Sequence, residues 1–243
     1  MTVGSTPPHG DSAADGTARG GDGVMVFVDG QNLVKAVLGA WRTRVHPILL
    51  GRHLAGDRRL AEVRYYSGVH KEDENAPLHA LARRRHALMR QTGVHVVERE
   101  LQYHWEWDFD ERLPPAHSAS RDERHIVQVS RQRRAREKGI DLALGLDAVT
   151  AALLDRCRTI IVVSRDRDLV EVAREINERT RGTAVSVEVA IVDGHHRRQA
   201  LDGYDRTHWI DGQVVNSCRD DFDYHEELPA AAVEAFLDGV RGS

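Results

Sequence analysis

Cysteine is scarce in this chain. Only Cys157 and Cys218 occur among the 243 residues, without CxxC spacing. That argues against a disulfide framework, suits a reducing compartment, and makes both residues read as free thiols. Long hydrophobic runs are missing too: no apolar stretch approaches the roughly 20 residues needed to span a bilayer, so no membrane helix is expected. The first 23 residues are rich in Gly, Ser, Thr, Pro and Asp and lack a basic segment followed by an apolar one. They read as a disordered N-terminal tail, not a signal peptide, which makes the expected location cytoplasmic. Neither GxGxxG nor GxxxxGK(S/T) occurs, which removes the phosphate loop of a nucleotide-binding module. There is no internal repeat, and histidines such as His195 and His196 show no metal-ligand spacing. Neither sign of charge dominates: a net charge of -4 argues neither for nor against a polyanionic partner.

What the chain does have is 41% hydrophobic and 30% charged residues, enough for a full core in one soluble domain. Apolar runs bounded by turn signals alternate with helical periodicity, the pattern of βα units wound into a parallel sheet. Strands are expected at 24–28, 61–66, 94–98, 159–163 and 185–191. Helices are expected at 32–41, 76–91, 141–156, 168–180 and 229–239. A short helix at 196–202 and an edge strand at 204–210 complete the set. Residues 101–138 break the pattern as a long insertion without sustained periodicity, which in a compact domain is either functional or mobile. Within it, His125–Val129 reads as a short strand or a helix start. Residues 213–243 form an acidic C-terminal extension carrying the last helix.

The acids carry most of the chemical information. Asp29 follows the apolar run 24–28, Asp141 and Asp147 flank a helix start, and Asp166 and Asp168 follow the run 160–163. In an open parallel sheet, residues beyond the carboxyl ends of the strands converge on one crevice. Carboxylates gathered there repel one another unless protons or a hard, oxygen-liganded cation such as Mg2+ or Mn2+ neutralise them. Structural roles compete for each residue. Asn32 could cap a helix, Ser164 or Asp166 could cap the next one, and Asp141 suits a helix N-terminus. Asp147, on a mostly apolar segment, needs a partner. The run Arg131, Arg133, Arg134, Arg136 and Lys138 lies just before Asp141. A basic stretch beside an acidic crevice suits a metal-dependent enzyme acting on a polyanion, although the same arginines could form a solvated face.

Three segments, Phe27-Val28-Asp29-Gly30-Gln31-Asn32-Leu33, Lys138-Gly139-Ile140-Asp141 with Asp147, and Ser164-Arg165-Asp166-Arg167-Asp168, resemble the NYN domain, LabA-like branch, of the PIN-like nuclease superfamily in order and spacing. The resemblance covers residues 24 to about 212. It implies one domain of α/β class, a PIN-like three-layer α/β/α fold around a central, mainly parallel sheet. It also implies a Mg2+- or Mn2+-dependent ribonuclease that leaves a 5'-phosphate and a 3'-hydroxyl. Asp29, Asp147 and Asp166 would be the metal ligands, with Asp141 and Asp168 holding metal waters or a second ion. Asn32 would orient water or phosphate. The partner would be RNA, single-stranded, gripped by Arg131, Arg133, Arg134, Arg136, Lys138 and Arg165, with Trp105 and its neighbours Tyr103 and Trp107 stacking on bases. A homo-oligomer is compatible with the sequence.

The third motif departs from the family pattern. Arg165, Arg167 and Leu169 stand where glycine, serine and phenylalanine are usual. Such arginines either bind phosphate or pair with the acids. In the second case the chain would be a non-catalytic or regulatory relative that binds RNA or a protein partner. A haloacid-dehalogenase-type phosphatase also begins with an aspartate after the first strand, but needs a second acid two residues on, where Gln31 stands.

Overall fold

The computed structural model describes residues 21–110, 128–182, 184–194 and 199–242. Its centre is β1 (Val24–Asp29), all six residues of which are buried. Val24, Val26 and Val28 enter one core, while Met25 and Phe27 enter a second core on the opposite face. Burial on both faces is why this strand reads as an unbroken apolar run.

Around β1, five more strands make one parallel sheet: β2 (Leu60–Val69), β3 (His95–Glu100), β6 (Thr159–Val163), β7 (Ser186–Val192) and β8 (Arg206–Ile210), in the order β3-β2-β1-β6-β7-β8. The chain builds outward from β1 to β3, then crosses back and builds outward from β6 to β8. The switch in direction therefore falls between β1 and β6, where a crevice opens beyond the strand ends.

Helices flank both faces. Leu33 and Val37 of α1 (Gly30–Trp41) and Leu50 and Leu54 of α2 (Pro47–Ala55) pack in the first core. They are joined by Met89 of α3 (Glu72–Gln91), Val215 of α6 (Gly212–Ser217) and Val240 of α7 (Ala230–Gly242). Leu144 and Ala148 of α4 (Ile140–Leu153) and Ala173 and Ile176 of α5 (Val170–Arg179) pack in the second. This is the expected mixed α/β architecture with a parallel central sheet between helical layers. No helix among the described residues is long and apolar enough to cross a membrane.

Several local expectations are corrected. Residues 102–110 and 128–136, read as aperiodic insertion, form an antiparallel ribbon of β4 (Gln102–Asp110) and β5 (Gln128–Arg136) outside the main sheet. Of the segment His125–Val129, residues 128 and 129 belong to β5 and the rest lies outside the described residues. Helices α2 and α6 were not anticipated. Residues 199–202 are irregular, not helical, because Asp202 and Gly203 turn the chain into β8; 195–198 lie outside the described residues, as does the tail up to residue 20. The edge strand expected at 204–210 is present as β8.

Candidate active site

Asp29 ends β1 and caps α1: its Oδ1 accepts the Asn32 backbone N–H at 2.9 Å. The helix begins at Gly30 because nothing larger fits there. A Cβ on Gly30 would stand 2.5 Å from the Tyr65 ring and from the Tyr66 carbonyl oxygen. Across the switch point, the Ser164 hydroxyl donates to Asp29 Oδ2 at 3.0 Å and accepts the Asp166 N–H at 3.1 Å. Asn32 Oδ1 accepts the Arg165 N–H at 3.1 Å. Thus Ser164 and Asn32 stitch the end of β1 to the loop after β6, and the capping role considered for Asn32 falls to Asp29. Asp166 Oδ1 in turn accepts the Asp168 N–H at 2.9 Å, so Asp166 shapes its own loop while α5 starts at Leu169 without a side-chain cap.

Asp29, Asn32 and Asp166 line a cavity of about 180 Å3 with Gln31, Lys35, Glu137, Gly139, Ile140 and Asp141. Gly139 takes the left-handed conformation, φ 77°, which turns the chain from β5 into α4 and sets Asp141 in the first turn of that helix. A larger groove of about 850 Å3 lies between α3 and α7, lined by residues such as Leu88, Val233 and Leu237. It is remote from the strand ends that gather the acids.

The cavity is electrostatically strained. Burial raises the Asp29 carboxyl above the ordinary range; hydrogen bonds from Asn32 and Ser164 oppose this, and the Asp166 charge adds to it. Burial, then the Asp29 charge, outweighs a Gly68 hydrogen bond to push Glu137 up to about 7, with Asp141 adding. Burial also raises Asp141, reinforced by the charges of Asp29, Asp166 and Asp168. Carboxylates that lift one another in this way are an unfinished charge balance. One oxygen of Glu137 is buried without a hydrogen-bond partner among the described residues.

Of the residues anticipated from sequence, Asp29, Asn32, Asp141 and Asp166 meet in this cavity. Asp168, exposed at the rim, acts on Asp141 only through its charge. Asp147 is elsewhere. Six residues further along α4 it has turned roughly 240° from Asp141, and its Oδ2 accepts from Arg64 Nη1 at 2.9 Å and from the Tyr66 hydroxyl at 2.7 Å. Its partner is a pair of β2 side chains. Arg165, half-buried, and Arg167, exposed, form no ion pair with the acids among the described residues.

Arg131, Arg133, Arg134 and Arg136 lie along β5, and Trp105 lies on β4 opposite Arg133. Arg134 and Arg136 pair with Glu106, and Lys138 is exposed in the turn before α4. Glu137 and Lys35 were not anticipated as site residues. The one available signal was an acid at the end of a basic run, immediately before the Gly139 turn.

The donor set suits a hard divalent cation: the acidic groups offer oxygen donors, and burial with neighbouring carboxylates raises the cost of ionising Asp29, Glu137 and Asp141. Among the described residues, no three His, Cys, Asp or Glu side chains stand close enough together to grip an ion.

The profile of the NYN domain family matches residues 23–202. A solved structure of a protein of unknown function from Vibrio parahaemolyticus RIMD 2210633 aligns over 84% of this chain and 99% of its own, with a TM-score of 0.51 at 15% sequence identity, a likeness of fold. No protein with a curated description matches the sequence.

Proposed function

Because this chain belongs to the NYN domain family, within the PIN-like nuclease superfamily, we propose that it is a metal-dependent ribonuclease that hydrolyses RNA phosphodiester bonds at the switch-point cavity. The observation that carries this reading is the meeting of Asp29, Glu137, Asp141 and Asp166 on the lining of one small polar cavity, where burial and the Asp29 charge raise both Glu137 and Asp141. Three acids converge from the end of β1, the end of the ribbon and the start of α4, and Asp166 joins them from the loop after β6.

Asp29, Asp141 and Asp166 would hold a Mg2+ or Mn2+ ion by drawing together on it, since among the described residues no three acids already stand at gripping distance. Asp147 is left out of this set because it is committed to Arg64 and Tyr66. When bound, the cation lowers the pKa of a water and neutralises charge on the phosphoryl group in flight. The protein's own groups do the rest. The Asn32 side-chain oxygen is occupied by the Arg165 N–H, which turns its amide donors to the task of orienting a phosphate oxygen or the attacking water. Lys35, on the cavity lining, offsets phosphate charge on entry. Glu137, at about 7, is tuned to accept the proton of the attacking water near neutral pH. Water oxygen bonds to phosphorus as the bond from phosphorus to the leaving 3'-oxygen breaks, and that oxygen takes a proton from solvent, giving a 5'-phosphate and a 3'-hydroxyl.

A regulatory, non-catalytic reading would draw support from Arg165 and Arg167 neutralising the acids, and these arginines form no such pairs among the described residues. The test is cleavage of a labelled single-stranded RNA pool in Mn2+, Mg2+ or EDTA by the wild type, Asp29→Asn and Asp141→Asn. Cleavage that requires the cation and disappears in both variants supports the proposal. RNA binding without cleavage by the wild type in either cation overturns it.

A further inference from the structure

The β4–β5 ribbon stands outside the main sheet and carries the most exposed aromatic side chains among the described residues, Trp105 at 56% and Trp107 at 61%. Two such indoles side by side mark an interaction surface. Strand alternation puts Tyr103, Trp105 and Trp107 on one face of β4. The register sets Ala135, Arg133 and Arg131 directly opposite them on β5, facing the same way. The Arg131 guanidinium carbon lies 4.8 Å from the Trp105 ring centroid and 5.7 Å from that of Trp107. That of Arg133 lies 5.6 Å from Tyr103 and 5.9 Å from Trp105. The face is a continuous ladder of rings and cations.

Arg131 meets no carboxylate among the described residues and contacts the two indoles instead. The base of the ladder, in contrast, is pinned to the body. Arg133 pairs with Glu74 of α3, and the Tyr103 hydroxyl bonds His70 Nδ1 at 2.6 Å. The last residue of β5, Arg136, is followed directly by Glu137, which lines the acidic cavity. The ladder and the site are therefore consecutive along the chain.

An exposed face that alternates π surfaces with cations matches unpaired bases strung on a phosphate backbone. A duplex buries its base faces and offers nothing to the indoles. We propose that the β4–β5 ribbon is a single-strand-binding arm: bases stack on Trp105 and Trp107, Arg131 leaves its ring contacts for the phosphates, and the bound strand leads into the cavity at Glu137. The identity of that strand as RNA rests on the ribonuclease reading; the stacking itself requires neither metal nor cleavage.

The test uses the full chain carrying Asp29→Asn, in EDTA, with a fluorescein-labelled 12-nucleotide single-stranded RNA and the same sequence as a duplex, read by anisotropy at several salt concentrations. Adding Trp105→Ala and Trp107→Ala together is expected to weaken single-strand binding at least about 30-fold. Trp105→Phe with Trp107→Phe, which keeps stacking surfaces, restores most of the affinity, and duplex binding changes little. Arg131→Gln is expected to flatten the slope of log affinity against log salt for the single strand by about 0.7.

Unchanged single-strand affinity in the double alanine variant overturns the arm, even if the wild type cleaves RNA. An equal loss on duplex, or a loss not restored by phenylalanine, overturns it as well. Selective loss of single-strand binding in a protein whose wild type does not cleave supports the arm and removes the ribonuclease reading.

Discussion

Replacing Glu137 with glutamine should make the metal-free protein more stable, and the gain should grow with pH. Below pH 4.5 the carboxyl is protonated in both the folded and unfolded chain, so it contributes no difference. The folded group resists ionisation until about pH 7, so between 4.5 and 7 the unfolded chain releases the proton first and wild-type stability falls. At about 1.36 kcal/mol per pH unit the full penalty above pH 7 is about 3 kcal/mol. Solvent screening at this half-buried position lowers it to about 1–2 kcal/mol. For a chain of this length that is an increase of about 2–8 °C in melting temperature. The assay is thermal melting of the wild type and Glu137→Gln in EDTA from pH 4.5 to 8.5. Coincident curves at pH 4.5 that separate toward pH 8, the variant melting higher, are expected. A variant that melts at or below the wild type at pH 8, or a gap independent of pH, would refute the reasoning that this cavity holds an uncompensated charge.

Asp147→Asn should cost about 1 kcal/mol in urea denaturation, by weakening its contacts with Arg64 and Tyr66. Because Asp147 lies outside the cavity, the variant should retain RNA cleavage; a loss as deep as that of Asp29→Asn would return it to the metal site. Gly30→Ala forces a Cβ against Tyr65 and the Tyr66 carbonyl, and should destabilise by about 1–3 kcal/mol while displacing Asp29. A variant with wild-type stability and activity would contradict the packing described. Glu188 is buried beneath Arg58 and His208, at 2.8 and 2.6 Å. Burial raises its carboxyl, but the hydrogen bonds from His208 and Arg58 outweigh burial and hold it at about 2. Its contribution is therefore present above pH 4.5 and lost between 4.5 and about 2. Glu188→Gln should cost about 3 kcal/mol at pH 7, in urea titrations, with the gap closing across that acid window.

The sheet was legible because β1 and β6 appear as nearly unbroken apolar runs, as strands buried on both faces do, while β2, β3 and β7 show shorter apolar stretches mixed with polar residues. The order of acids was legible for a related reason: Asp29 and Asp166 follow the two strands that flank the switch point. What escaped detection depends on long-range contacts. Helix α2 is only nine residues long, and Gly51, Arg52 and His53 break its apolar pattern. Its Pro47 at the first turn and His46 cap are clear only once the helix is known to exist. The ribbon did alternate, Tyr103 and Trp105 and Trp107 against His104 and Glu106. Its matching strand lies some 20 residues on, however, and its arginines read equally well as a solvated face. Asp147 looked like a site residue because an acid on an apolar segment needs a partner; that partner came from β2, which no spacing on α4 could reveal. Glu137 was concealed by its basic neighbours, an ordinary surface pattern until Gly139 folds it over the cavity.

The central claim is that the switch-point carboxylates form a divalent cation site. A crystal soaked in Mn2+ and measured at the manganese absorption edge tests it most directly. The expected result is an anomalous peak within bonding distance of Asp29, with Asp141 and Asp166 completing the protein ligands, and no peak in crystals of Asp29→Asn. A peak at Asp147, or no peak at the cavity in a protein that still cleaves RNA, would contradict it.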